Sequence, residues 1–122
     1  MKIILKRAGT FKCNWKSGDN VCGHGASGIQ KYSYSCEIVS DSNSLDGHGF
    51  IVDQLDVDNT FQTTFHPELH QPKSCELMAL EFVAQIKYLA RRITPTRVTV
   101  SVGPIPPPGV VGEASITAEW VL

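Results

Sequence analysis

Ser74-Cys75-Glu76-Leu77-Met78-Ala79-Leu80-Glu81-Phe82-Val83-Ala84-Gln85-Ile86-Lys87-Tyr88-Leu89-Ala90-Arg91-Arg92 is the stretch on which the fold turns. Ala79, Phe82, Val83, Ile86, Leu89, Ala90 and Ile93 recur at three- and four-residue spacing, which draws one apolar stripe along a helix. Ser74 is the expected N-cap, because its hydroxyl can accept a free backbone N–H of the first turn. Glu76 near the start and Arg91-Arg92 near the end carry the charges that a helix dipole favours at each terminus. Pro95 cannot continue the helix. The spacing therefore predicts a helix from about Ser74 to Arg92.

Strands follow this helix. Val98, Val100 and Val102 alternate with Thr99 and Ser101, and Ala114, Ile116, Ala118, Trp120 and Leu122 alternate with Ser115, Thr117, Glu119 and Val121. A period of two marks half-buried strands. Between them, Gly103-Pro104-Ile105-Pro106-Pro107-Pro108-Gly109 reads as a stiff, extended excursion rather than a tight turn.

Two more strands precede the helix. Residues 2–15 include Phe11, Cys13 and Trp15 in alternation with Lys12 and Asn14, and residues 31–39 place Tyr32, Tyr34, Cys36 and Ile38 on one face. The glycine-rich stretch 17–28 reads as loop. Val57, Phe61 and Phe65 recur every four residues, as on one helix face, although Asn59, Thr60, Thr63 and Thr64 are poor helix formers. The order strand, strand, helix, helix, strand, strand gives an α+β fold: a four-stranded antiparallel sheet with two helices on one face. The uncovered face of so small a sheet calls for a partner, and self-association into a homo-oligomer supplies one.

Composition narrows the function classes. The 122 residues fit one domain, 1–122, and a hydrophobic fraction of 42% with 19% charged residues suits a packed core. A formal net charge of −1 gives no electrostatic footprint for nucleic acid or an anionic membrane. No stretch reaches the roughly 20 apolar residues of a membrane span. The opening Met1-Lys2-Ile3-Ile4-Leu5-Lys6-Arg7 is too short in apolar residues for an export signal, so it reads as strand and the chain as cytoplasmic. Cys13, Cys22, Cys36 and Cys75 show no CxxC spacing and are expected as thiols in a reducing compartment.

The order of elements resembles the tunnelling fold, and short motifs are similar to one branch of it, the 6-pyruvoyl-tetrahydropterin and 6-carboxytetrahydropterin synthases. Ser74-Cys75-Glu76-Leu77-Met78-Ala79 stands where that family opens its long helix with Thr/Ser-x-Glu-Asn-Leu/Val-Ala. The resemblance makes Glu76 the anchor of a pterin- or purine-like ring; a carboxylate can accept two parallel N–H bonds from a 2-aminopyrimidinone edge. Gly49-Phe50-Ile51-Val52-Asp53 resembles the segment leading into the family's first helix. Phe65-His66-Pro67-Glu68-Leu69 resembles its Asp-His-x-x-Leu segment, which implies a catalytic role for His66. Cys22 lies near the place of the family's catalytic cysteine. The activity so implied is that of a synthase-like lyase.

The departures concern zinc. The family binds it through one histidine ending the first strand and a His-Gly-His pair entering the second. Here Trp15 and Ser27-Gly28-Ile29 occupy those places, and neither supplies an imidazole. The glutamate expected after the third strand is replaced by Val102-Gly103-Pro104. The expectation is no metal cofactor, with a zinc site rebuilt from Cys22, His24 and His48 as the alternative. Plainer readings stand beside each candidate: His66 and His70, separated by Pro67, as loop histidines; Glu76 as a dipole-complementing surface residue; Tyr32 and Tyr34 as core; Asp53, Asp56 and Asp58 as an acidic helix start; and Cys75 as a buried thiol. A non-catalytic oligomeric assembly module on the same fold is the alternative function.

Overall fold

A computed structural model describes residues 1–15, 28–65, 74–106, 108–109 and 111–122. Strands β1 (Lys2–Trp15) and β2 (Gly28–Asp41) come first, then helices α1 (Gln54–Thr63) and α2 (Cys75–Leu89), then strands β3 (Arg97–Pro104) and β4 (Ile116–Val121). The strands form one antiparallel sheet in the order β1-β2-β3-β4, which leaves β1 and β4 at its edges. The α+β class and the ββααββ order agree with the sequence reading. No helix among the described residues is long and apolar enough to cross a membrane.

Alternation decides which sheet face is covered. Phe11, Cys13, Tyr32, Tyr34, Cys36, Ile38, Val98, Val100 and Val102 are all buried on one face. Both helices lie against this face. Phe61 of α1 stacks on Tyr34 with ring centroids 3.8 Å apart, and Phe82 of α2 meets Phe11 edge-on at 5.4 Å. The opposite face is mixed: Lys6 faces Glu37, Ala8 faces Ser35 and Thr99 faces Glu119, while Ile4, Val39 and Val121 share a cross-strand row with Arg97. Its polar side chains can stay in water, whereas Ile4 and Val121 leave apolar area exposed on this face.

Helix α2 forms as its pattern predicts. The Ser74 Oγ accepts the Leu77 N–H at 3.2 Å, and Cys75, Met78, Ala79, Phe82, Val83 and Ile86 are buried. Its end comes earlier than Arg92. The helix stops at Leu89, a 3₁₀ turn covers Arg91–Ile93, and Thr94 turns left-handed at φ 46°. The residue before a proline is disfavoured in the right-handed helical region, which ends the turn ahead of Pro95, but that rule favours extended backbone and leaves the left-handed φ of Thr94 unexplained. Arg91 donates to the Tyr88 carbonyl at 2.9 Å, one of the acceptors the helix end leaves free.

Helix α1 forms against its own propensities. Asp53 caps it by accepting the Leu55 N–H at 2.8 Å. Thr60, Thr63 and Thr64 turn their hydroxyls back onto carbonyls four residues earlier, a bonding mode that does little for a helix. Burial of Val57 and Phe61 supplies what propensity lacks. Phe65, expected to extend the helical series, lies beyond the helix end yet is still buried.

The strands also exceed their expected limits. β2 runs over Gly28–Asp41 rather than 31–39, and β3 continues through Pro104, whose partner is Tyr32. The segment Val102-Gly103-Pro104 is thus strand rather than the turn after it. β4 starts at Ile116, two residues after the alternation begins.

Gly9 fits one close approach. A Cβ there would lie 2.7 Å from the Tyr34 hydroxyl oxygen and 2.9 Å from its ring carbon Cζ. The Tyr34 ring cannot yield freely because it is stacked on Phe61. Gly9→Ala should therefore cost about 1–3 kcal/mol through overpacking, measured as a loss in chemical-denaturation stability; an unchanged midpoint would show that the Tyr34–Phe61 stack is loose.

Candidate functional site

The residues expected to carry function divide into two groups. Glu76 and His48 are described, whereas His66, Cys22, His24 and His70 lie outside the described residues. Glu76 is exposed in the first turn of α2, two residues after the Ser74 cap. Among the described residues its carboxylate makes no ion pair or side-chain hydrogen bond. The cap fixes the first turn, so the Glu76 backbone is held rigidly while its side chain is free to meet a ligand.

His48 sits in an exposed turn organised by Asp46, whose Oδ1 accepts the His48 and Phe50 N–H groups, each at 2.8 Å. Those backbone bonds hold the Asp46 carboxyl below the ordinary carboxylate range. The His48 ring lies 6.3 Å from the Phe50 ring. Among the described residues no three His, Cys, Asp or Glu side chains gather where they could hold a metal.

Of the positions aligned with the family's zinc ligands, Trp15 ends β1 as the cross-strand partner of Gly28 and Ile29 pairs with Asn14, while Ser27 lies outside the described residues. The donor set does not fit the metal. Tetrahedral zinc takes imidazole nitrogen, thiolate or carboxylate. An indole, a serine hydroxyl and an isoleucine offer no such donor. No reaction step through zinc follows from these residues.

The three early aspartates have three separate uses. Asp53 caps α1 and Asp56 lies in its first turn. Asp58 instead reaches the sheet, where Arg7 donates to it twice: Nε to Oδ1 at 3.1 Å, and Nη2 to Oδ2. Tyr34 donates its hydroxyl to the same Oδ1 at 3.3 Å, and Arg7 Nη1 donates to the Gln54 side chain at 3.3 Å. Sequence reasoning missed this cluster. Its signal was Arg7 on the inward-facing series of β1, between Leu5 and Gly9.

The electrostatics make the cluster a clamp between α1 and the sheet. The Arg7 bond holds the Asp58 carboxyl below its usual range, while burial and then Asp58 push the Tyr34 phenol up. Asp58 stays ionised and Tyr34 stays neutral, so the trio is a fixed ion pair with a hydrogen-bond donor rather than a proton relay.

Burial pushes the Cys13 thiol up to about 12 and the Cys36 thiol up to about 11. Both are free, buried and held as inert thiols. Cys75 departs from expectation: it is buried but disulfide-bonded, with its partner outside the described residues. A disulfide is at odds with the thiols and reducing compartment expected from the sequence.

Comparison with models of known protein families and with curated proteins finds no match.

Two outcomes test this site. A carboxylate with a lowered folded-state pKa stabilises above its unfolded value, and that contribution is lost as pH falls through the folded one. The stability difference between the wild type and Asp58→Asn should be full near neutral pH and shrink below about pH 4, the ordinary carboxylate range. A difference independent of pH would remove the clamp. For the thiols, alkylation of the unfolded, unreduced protein should modify Cys13 and Cys36 but spare Cys75. Labelling of Cys75 without reductant would show it to be a thiol.

Proposed function

We propose that this chain is a divergent tunnelling-fold protein, similar to the 6-pyruvoyl-tetrahydropterin synthases, that binds a pterin- or purine-like ligand through Glu76. The observation that carries the reading is the free carboxylate of Glu76, held by the Ser74 cap in the first turn of the long helix. A carboxylate so presented can accept two N–H bonds from the edge of a 2-amino-pyrimidinone, and each charge-assisted bond is stronger than its neutral counterpart. The ββααββ order with its antiparallel sheet supports the same reading.

Ligand sites in this fold lie between subunits, so the proposal includes a homo-oligomer. Any catalysis would be of the synthase-like lyase kind, with His66 as the residue for proton transfer and Cys22 available to it only when reduced, since Cys22 is the one cysteine left to pair with Cys75. A zinc-dependent step is not part of the proposal.

A second reading, a non-catalytic assembly module, is favoured by a specific observation. Among the described residues β1 and β4 each lack a second strand partner, and open edges are templates for pairing with another chain. Neither reading requires the other to be false at the level of assembly. They differ in whether a small molecule binds.

Calorimetric titration with guanine and with a pterin analogue separates them. Saturable binding to the wild type that is weakened at least about tenfold by Glu76→Ala, a loss of roughly 1.4 kcal/mol, is the expected result. Equal affinity in both proteins would remove Glu76 as the anchor, and no binding to either would leave the assembly module as the function.

A further inference from the structure

On the sheet face opposite the helices, charges are matched across strands. Lys2 faces Asp41, Lys6 meets Glu37 at 3.4 Å, and Arg97 pairs with Glu119. One position breaks the rule: Lys12 is the direct cross-strand partner of Lys31. Both are exposed, and neither has an ion-pair partner among the described residues. Directly opposed side chains stand about 5 Å apart at Cβ, and like charges there are destabilising.

The pair adjoins a concavity. Ser33, two residues along from Lys31 on the same face, lines a recess of about 540 Å³ together with Pro104, Ile105, Pro106, Glu113 and Ser115. The Lys31 carbonyl accepts the Ile105 N–H at 2.9 Å, which fixes this wall to the lysine-bearing strand. Gly103, the partner of Ser33, keeps the wall closed from behind: a Cβ there would lie 2.3 Å from the Ala114 carbonyl oxygen. Prolines make the wall rigid in the unbound protein, so little ordering cost falls on binding.

We propose that Lys12 and Lys31 bind the phosphate or carboxylate group of a small molecule whose body lies in the recess beneath Pro104–Pro106. An anion between the two ammonium groups accepts from both and converts their repulsion into two attractions. Glu113 lines the same recess and disfavours a second anionic group, so the ligand carries its charge at one end and N–H or O–H donors at the other. This site lies on the sheet face opposite the helices and stands independently of Glu76.

The test uses the full chain at low ionic strength, titrated with inorganic phosphate and, separately, citrate, while backbone amide NMR shifts are followed. Chloride at matched ionic strength is the control, since exposed charges are screened by salt alone. Saturable shifts centred on Lys12, Lys31, Ser33, Ile105 and Ser115 are expected. The stronger of the two anions assigns the group as phosphate or carboxylate.

Lys12→Glu places opposite charges on the cross-strand pair. It should raise the melting temperature in anion-free buffer by about 1–3 °C while lowering the anion affinity about tenfold or more. A gain in stability alongside lost binding excludes unfolding as the cause. Lys31→Gln should also weaken binding. Shifts that grow without saturating, as with chloride, or an affinity unchanged in both variants, would overturn the proposal.

Discussion

The packing of Phe82 is the contact on which the rest of the structure depends. Its ring lies 5.4 Å from Phe11 on β1, 4.5 Å from Phe61 on α1 and 4.8 Å from Phe65 beyond it. One side chain thereby joins α2 to the sheet, to α1 and to the segment that leaves α1. Aromatic rings bury large areas and favour tilted or edge-on contacts, so such a junction fixes orientation as well as distance. The position of the α2 start, and with it Ser74 and Glu76, follows from where this ring is seated.

Helix α1 relies on a second kind of interaction. Its threonine-rich end would be weak in isolation, and only Val57 and Phe61 among its residues are fully buried. The bonds from Arg7 and Tyr34 to Asp58 tie the middle of α1 to both β1 and β2. The cluster is partly exposed, with relative side-chain accessibilities of 33% for Arg7 and 26% for Asp58, so its strength is tempered by solvent screening. Its geometric effect is firmer. It sets the distance between Phe61 and Tyr34 at which their rings stack.

The two faces of the sheet have consequently different tasks. The inner face is committed to the core, and its buried cysteines and tyrosines are held in states unsuited to chemistry. The outer face carries Lys6, Glu37, Thr99 and Glu119 in one cross-strand row and Ile4, Val39, Arg97 and Val121 in the next. At the helix start and on much of the outer face, side chains are not already required for packing. The open edges at β1 and β4 stand apart from both, since their unpaired groups belong to the backbone.

Periodicity settled the α+β class, the strand order along the chain, the α2 stripe and nearly all of the core, because side-chain alternation and the helical repeat are local properties of the chain. The Ser74 cap was legible for the same reason. The reach of β2 to Gly28 and of β3 to Pro104 was not, because hydrogen bonding to a neighbouring strand can carry a glycine or a proline that local preference would exclude. Arg7 meeting Asp58, Lys12 facing Lys31 and the disulfide at Cys75 were equally hidden. Each joins residues well separated along the chain, and only the folded register brings them within reach of one another. Local spacing decides which face a residue takes; the tertiary structure alone decides which residue it meets there.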